Sequence, residues 1–181
     1  MIYDKRIRLR AIEPNDIPRF VEWLNDPEVI AGLLIYLPMA SWEEKRWFEA
    51  LENRPAEERP LALDALQSDG SWIHIGSVGL HQIEAANRNA EFGIFIGDKA
   101  FWNSGYGTEA TRLALQHGFE TLNLNRISLQ VFETNPRAIH IYEKIGFILE
   151  GKLRQRIYRS GHYIDIFIMS MLRSEWDAKI I

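Results

Sequence analysis

Residues 102–110 read Trp102-Asn103-Ser104-Gly105-Tyr106-Gly107-Thr108-Glu109-Ala110, and they open a segment whose apolar residues recur at helical spacing. Gly105 and Gly107 place no side chain between the backbone and a ligand, so an anion can approach the amide N–H groups directly. A helix start also carries unpaired N–H groups and the positive end of the helix dipole. The segment therefore predicts a pyrophosphate-binding turn that uses the backbone of residues 103–108.

Strand and helix patterns extend from this turn in both directions. Before it we predict strands at residues 7–11, 61–67, 72–80 and 90–96, and helices at residues 17–24 and from Ser41. After it we predict a helix from about residue 105 to 122, a strand at 126–133, a helix at 136–145 and strands at 147–158 and 163–172. Helical crossovers return the chain in the same direction, so we expect parallel pairing around the strand at 90–96. The pattern indicates an α/β protein, and we expect residues 1–181 to form a single domain.

Two short signals mark the ends of elements in the first half of the chain. Ser41-Trp42-Glu43-Glu44 has the pattern of a capping box, with Ser41 as the N-cap and Glu44 as its acidic partner. Asp69-Gly70 lies between two strand patterns and predicts a hairpin turn. We therefore expect an antiparallel meander before the glycine-containing turn.

The composition of the chain argues against several classes of ligand and partner. The net charge is −4 and the Lys and Arg residues are scattered, so we expect no nucleic-acid partner. The absence of cysteine removes disulfides, thiolate metal ligands and a cysteine nucleophile. No apolar run approaches the roughly 18 residues of a membrane span and the first residues are no signal peptide, so we expect no membrane partner and a cytoplasmic location. The five histidines lack the spacing of metal ligands, so we expect no metal.

The turn has two other interpretations. Residues 105–110 also satisfy the Gly-x-Gly-x-x-Ala fingerprint of dinucleotide-binding folds, and Glu133 ends the next strand, where a ribose-binding acid would stand. That fingerprint requires the strand to run directly into the first glycine, whereas residues 97–104 intervene here. Alternatively, the glycines only permit a tight connection between strand and helix.

A second motif follows the next predicted strand: Asn135-Pro136-Arg137-Ala138-Ile139-His140-Ile141-Tyr142-Glu143-Lys144-Ile145-Gly146-Phe147. It resembles the Asn-x-x-Ala-x-x-x-Tyr-x-Lys-x-Gly-Phe segment of the Gcn5-related N-acetyltransferases, and the turn resembles their motif A, Gln/Arg-x-x-Gly-x-Gly/Ala. The resemblance covers nearly the whole chain. It is greatest to the branch that includes ribosomal-protein N-terminal acetyltransferases and spermidine acetyltransferases. Trp102 stands where the family more often carries Gln or Arg, so backbone amides must hold the phosphates.

The resemblance implies a mixed central sheet of about seven strands, flanked by about four helices and splayed at an acetyl-CoA cleft. A bulge at Gly93 or Gly97 would expose amides in the strand to the pantetheine arm of acetyl-CoA. The amides in question are those of Ile94, Phe95 and Ile96. Asn135 before Pro136 is explained as a helix N-cap, and the resemblance adds a contact from Asn135 to the cofactor. Gly146 is explained as a helix C-terminal residue with φ above zero.

Transfer from a thioester to an amine requires a neutral amine and a proton for the departing thiolate. Tyr142 shares a helix face with Ala138 and Ile145, and the resemblance implies that its phenol protonates the leaving sulfur. The alternative is a core tyrosine with a bonded hydroxyl. Glu91 begins the strand at 90–96 and matches an acidic position of the family, where a carboxylate takes a proton from the amine through water. The alternative is an exposed acid at a strand start.

The apolar loop at residues 32–38, with Leu34 and Tyr36, corresponds to the region that lines the acceptor site in the family. Three carboxylates near it would hold a cationic amine, unless they are simply solvated: Glu28, Glu43 and Glu44. Glu91 and His162 are further candidates for acceptor binding. A protein N-terminus, a small amine and a polyamine all remain open as acceptors.

The final hairpin carries Arg154, Arg156 and Arg159, and it either closes the acceptor cleft or pairs with a second subunit in a homodimer. The sequence thus favours direct transfer from acetyl-CoA to a primary amine. The alternative from a different class is an acyl-CoA-binding sensor that has lost turnover.

Overall fold

The structure is a computed structural model that describes residues 1–180, with side chains described through residue 178. Within these residues the chain forms one mixed sheet of eight strands and five α-helices, so the predicted α/β class is confirmed. The strands are β1 (Ile2–Tyr3), β2 (Ile7–Ala11), β3 (Leu61–Leu66), β4 (Trp72–Glu84), β5 (Asn89–Ile96), β6 (Arg126–Phe132), β7 (Ile148–Arg159) and β8 (His162–Leu172). The helices are α1 (Ile17–Leu24), α2 (Ser41–Ala50), α3 (Tyr106–Gln116), α4 (Pro136–Ile145) and α5 (Arg173–Ile180).

The strands follow the order β1-β2-β3-β4-β5-β6-β8-β7 in the sheet. Strands β5 and β6 pair in parallel, as the helical crossover between them predicted, while β8 pairs antiparallel with both β6 and β7. The parallel ladder comprises three residue pairs and ends at Glu91↔Ser128. Its end lies two residues before Gly93, one of the two positions at which the sequence predicts a bulge.

The chain divides into two compact units: Met1–His81 with Gly93–Ala114, and Gln82–Phe92 with the described residues from Leu115 onward. The first unit buries an apolar cluster made of Ile12, Phe20, Trp23, Val29 and Ala62, against which further aromatic side chains pack, and we call it the aromatic cluster. The second unit buries a cluster made of Phe132, Ile157, Ile164 and Ile166. Strand β5 contributes its first four residues to the second unit and its last four to the first.

Two elements are absent from the sequence prediction. Strand β1 has only two residues, too few for a periodic pattern. Helix α5 is eight residues long. The Glu175 carboxylate caps it locally by accepting the Leu172 N–H at 2.8 Å, and the Trp176 ring stacks on the distant Phe119 ring with centroids 5.8 Å apart. The contact with Phe119 is not visible in the local sequence, and the prediction ended at the last strand.

The predicted capping box of α2 is wrong by one residue. The N-cap is Ala40, which is extended at φ −84° and ψ 149°, and the helix begins at Ser41. The third helical position is therefore Glu43, whose carboxylate accepts the Ala40 N–H at 2.8 Å. Glu44 is left without a capping role. The predicted long helix at 105–122 is also divided, because α3 ends at Gln116 and a π-helical turn continues to Thr121.

Candidate active site

The glycine turn, defined here as residues 103–108, leads into α3 in the first unit. Asn103 and Gly105 both adopt positive φ, at 60° and 88°, so the chain reverses sharply before the helix begins at Tyr106. Glu109 donates its N–H to the Gly105 carbonyl at 3.1 Å. The amides of residues 105–108 precede this bond in the chain and have no acceptor in the helix itself. The turn thus has the local geometry of an anion-binding helix start.

Gly107 shows that the turn has room for a ligand. A Cβ built on Gly107 meets only the Ile96 Cδ1 atom within 4 Å, at an ordinary contact distance of 3.7 Å. The protein itself therefore does not need a glycine at this position for packing. A phosphate group on the amides would need one, because a side chain would cover the N–H groups. The residues of the turn fit a pyrophosphate.

The Trp102 side chain packs within the first unit. Its indole Nε1 donates to the Ile96 carbonyl at 2.8 Å, and its ring packs against the aromatic cluster of the first unit. The side chain that replaces the family's usual Gln or Arg is thus engaged with β5. That backbone amides, without Trp102, hold the phosphates stays a prediction.

Sequence reasoning missed Arg6 at the turn. The Arg6 guanidinium forms an ion pair with Glu109, donates to the Ser104 carbonyl at 3.1 Å and lies 4.7 Å from the centre of the Tyr106 ring. Arg6 and Glu109 are separated by more than half the chain. No local pattern could have paired them.

The last residues of β5 were predicted to offer amides to pantetheine. The structure places Ile94, Phe95 and Ile96 in the first unit as half-buried residues. The Phe95 ring points into the aromatic cluster, with its centroid 6.0 Å from that of Phe20. Just after the strand, the Gly97 N–H donates to the Ile75 carbonyl at 2.9 Å, so this amide is already used inside the protein.

Tyr142 lies on α4 in the second unit and is 9% exposed. Its ring makes edge contacts with Phe92 and Phe147, and burial raises the pKa of its phenol to about 12. Among the described residues no hydrogen bond reaches its hydroxyl, so the alternative of a core tyrosine with a bonded hydroxyl is not what this structure shows. A phenol that stays protonated and has no internal partner is suited to donate a proton.

Asn135 is the N-cap of α4. Its side-chain oxygen accepts the Ala138 N–H at 3.1 Å, and Pro136 follows at the first helical position. Gly146 ends the helix in the left-handed conformation at φ 118°. Both ends of α4 are therefore as the second motif predicted, and they fix the axial position of Tyr142.

Glu91 lies in the part of β5 that belongs to the second unit and is half-buried. Its carboxylate oxygens lie 3.3 and 3.5 Å from the Gln130 side-chain nitrogen on β6, which donates to them. The Gln130 amide is a neutral donor, and its contact orients the carboxylate.

The residues predicted to bind the acceptor fall in both units. Leu34 and Tyr36 lie in the first unit, 60% and 57% exposed, on the loop that follows a short 3-10 helix. His162 is an exposed residue at the start of β8 in the second unit. Glu28 is exposed, and Lys99 Nζ lies 3.5 Å from its carboxylate and 2.7 Å from that of Asp26. Glu28 is thus already paired with a cation of the protein.

Glu44 differs from the other acceptor candidates because it is buried. Glu44 lies on α2 and is 3% exposed, so the alternative that its carboxylate is simply solvated is wrong. Trp47 and Phe48, one helical turn further on, pack against the aromatic cluster, which places Glu44 on the inward face of the helix. Burial raises the pKa of its carboxyl to about 7. No hydrogen bond or ion pair from a side chain described within residues 1–178 reaches the Glu44 side chain.

The described residues contain no group of three or more His, Asp or Glu side chains that could hold a metal ion. None of the described helices is both long and apolar enough to cross a membrane.

Known proteins share this architecture. The family model described as acetyltransferase (GNAT) domain matches residues 6–148. The chain is 33% identical over 177 residues to a spermidine N(1)-acetyltransferase from Vibrio cholerae, with 96% of each chain covered. It is 29% identical over 181 residues to the putative ribosomal N-acetyltransferase YdaF of Bacillus subtilis, covering 97% of this chain and 96% of that one.

A crystal structure of spermidine N-acetyltransferase from Vibrio cholerae in complex with CoA and spermine is similar at a TM-score of 0.83 and 28% identity. The likeness covers 96% of this chain and 99% of that one. The resemblance inferred from the glycine turn and the Asn135 motif is thereby confirmed over the dinucleotide alternative. The chain belongs to the acetyltransferase (GNAT) domain family, whose members use acetyl-CoA as the acetyl donor.

Proposed function

We propose that this protein transfers the acetyl group of acetyl-CoA to a primary amine of a polyamine-like cation. We choose this class of acceptor because the Glu44 carboxylate is buried on the inward face of α2 and has no hydrogen-bond or ion-pair partner among the described side chains. An ionised carboxylate is costly to bury unless a cation pairs with it. An ammonium group of the acceptor would supply that cation, and the aromatic side chains on the same face favour it further. The similarity to spermidine N(1)-acetyltransferase supports the same class of acceptor.

Several residues are proposed to hold acetyl-CoA. The amides of the glycine turn bind the pyrophosphate: Asn103, Ser104, Gly105, Tyr106, Gly107 and Thr108. The backbone of Ile94, Phe95 and Ile96 pairs with the pantetheine arm, and Asn135 contacts the cofactor in addition to capping α4. The family model matches residues 6–148, which include parts of both compact units. This supports the proposal that residues 1–181 act as one acetyltransferase domain.

The donor supplies an activated acetyl group as a thioester. Glu91 accepts, through water, a proton from the acceptor ammonium, so that the nitrogen lone pair can form the new C–N bond. Tyr142 donates its phenolic proton to the sulfur as the C–S bond breaks. The second proton that the nitrogen loses on becoming an amide passes through water to the phenolate and restores the phenol, and Glu91 releases the first proton to solvent. No side chain becomes acylated, because the amine itself attacks the thioester. Leu34, Tyr36 and His162 are proposed to contact the rest of the acceptor.

Replacing Glu44 with glutamine is expected to raise the KM for spermidine by about tenfold, because the variant loses one ion pair with the acceptor in a partly desolvated site. In the parent, spermidine KM should also rise as pH falls below about 7, where Glu44 becomes protonated. The Glu44→Gln variant should lose that pH dependence. Steady-state rates between pH 6 and 8.5 test this, with Glu49→Gln on the same helix as an exposed control.

The melting temperature provides a second test of Glu44. The carboxyl has its ordinary pKa of 4.5 in the unfolded chain and about 7 in the folded one, so its burial costs stability above pH 7 and costs nothing below pH 4.5. Glu44→Gln should therefore raise the melting temperature at pH 8. A variant that is more stable but has an unchanged spermidine KM would refute Glu44 as the acceptor residue. Faster acetylation of a peptide N-terminus than of spermidine would refute the polyamine class.

We also infer a homodimer formed through β7, which lies at one end of the order of the described strands and pairs with β8 alone among them. Large apolar side chains are exposed along it: Ile148, Leu149, Leu153 and Tyr158. The parent is expected to sediment as a dimer and Leu149→Glu as a monomer, while Leu37→Glu on the exposed loop stays dimeric. A monomeric parent at all concentrations would contradict the dimer.

A further inference from the structure

Arg6 lies just before β2 and contacts two residues of the glycine turn, Ser104 and Tyr106, and the residue that follows the turn, Glu109. Its Nη2 donates to the Ser104 carbonyl at 3.1 Å. Its Nε lies 3.1 Å from a Glu109 carboxylate oxygen, and the two side chains form an ion pair. Its guanidinium carbon lies 4.7 Å from the centre of the Tyr106 ring. One planar guanidinium can make all three contacts because its edge donors and its face are separate binding surfaces.

The contact with Ser104 orients the peptide that follows it. The described chain has no cis peptide bond, and in a trans peptide the C=O and N–H groups point in opposite directions. Because the Ser104 carbonyl faces Arg6, the Gly105 N–H faces away from Arg6. A Cβ built on Gly105 would lie 3.3 Å from Arg6 Nη2, so the guanidinium fills the side of the turn to which a side chain would project.

The charge of Arg6 is largely balanced where it lies. Glu109 is within hydrogen-bond distance of both Nε and Nη2, so the pair adds little net positive charge to the turn. What the pair adds is rigidity. It ties the first turn of α3 to the segment before β2 and holds two positive-φ residues, Asn103 and Gly105, in one conformation.

We infer that Arg6 is a positioning residue for acetyl-CoA. It holds the glycine turn so that its amides face the pyrophosphate, and it does so through orientation and not through its charge. The inference rests on the proposed function, because it assigns the pyrophosphate to this turn. No part of the chemical step depends on Arg6.

The test compares donors with and without phosphates. In Arg6→Met, the KM for acetyl-CoA should rise about tenfold, and the kcat should stay within about twofold of the parent. Acetyl-dephospho-CoA, which keeps the pyrophosphate, should show the same rise. S-acetylpantetheine has no phosphate, and its kcat/KM should be unchanged. The Kd for CoA from calorimetry should rise by the same factor as the KM, and this readout does not require turnover.

Two further variants separate orientation from charge. Arg6→Lys keeps the charge but not the planar fork, and it should show most of the loss in CoA affinity. Glu109→Gln leaves the Arg6 charge unbalanced. If orientation matters, CoA binding weakens in this variant, whereas a purely electrostatic role would make it tighter.

Three outcomes would overturn the inference. The first is an Arg6→Met variant that loses activity equally with S-acetylpantetheine and acetyl-CoA, since that indicates a general loss of structure. The second is a loss confined to acetyl-CoA and absent with acetyl-dephospho-CoA, which assigns Arg6 to the 3′-phosphate. The third is tighter CoA binding by Glu109→Gln. A parent that binds CoA but acetylates nothing would instead refute the proposed function, and the CoA Kd would still report on Arg6.

Discussion

Replacing Gly107 with valine is expected to weaken acetyl-CoA binding by at least about 100-fold while the protein stays folded. The Cβ of the new side chain is accommodated, because a Cβ at this position lies at an ordinary contact distance of 3.7 Å from Ile96 Cδ1. Its backbone is not in the left-handed region, and valine is a better helix former than glycine. The two methyl groups would, however, cover the amides of the turn and exclude the pyrophosphate.

Calorimetric titration with acetyl-CoA measures this effect, and the melting temperature shows whether the fold is intact. Gly107→Ala should give an intermediate loss because its side chain is smaller. Gly151→Ala, on β7 with nothing within 4 Å of the new Cβ, is the matched control and should bind normally. Parent-like affinity in Gly107→Val would place the phosphate site elsewhere in the chain.

Tyr142→Phe is expected to lower kcat by about 100-fold or more, the usual contribution of a general acid, with little change in the KM for acetyl-CoA. The ring stays in contact with Phe92 and Phe147, and no hydrogen bond among the described residues is lost with the hydroxyl. Stability should therefore be unchanged. The pKa of the phenol, raised to about 12 by burial, keeps the parent protonated throughout the working range, so this residue should add no inflection to the parent's pH profile below pH 10.

Steady-state kinetics with spermidine at saturating acetyl-CoA give the kcat of Tyr142→Phe. Tyr163→Phe, at an exposed tyrosine of the same unit, is the control and should keep the parent's rate. Equal rates for Tyr142→Phe and the parent would remove Tyr142 as the general acid.

Short-range sequence patterns were sufficient to predict the elements that position Gly107 and Tyr142. The glycine turn, the Asn135–Pro136 start of α4 and the Gly146 end of α4 each depend on neighbours within a few residues, and all three occur as predicted. The roles of Arg6 and Glu44 depend on packing between distant segments. Glu44 has Trp47 and Phe48 at helical spacing, a signal for its burial that the sequence prediction did not use, whereas Glu43 caps α2.

The most direct test of the account is a single-turnover experiment in which excess protein is mixed with acetyl-CoA carrying a labelled acetyl group, with and without spermidine. We expect the label to pass to the spermidine nitrogen in one step, with CoA thiol released in equal amount and no label on the protein. Bound acetyl-CoA that keeps its label in the presence of spermidine and of other primary amines would contradict catalysis and leave a sensor of acyl-CoA. Label accumulating on the protein would contradict direct transfer.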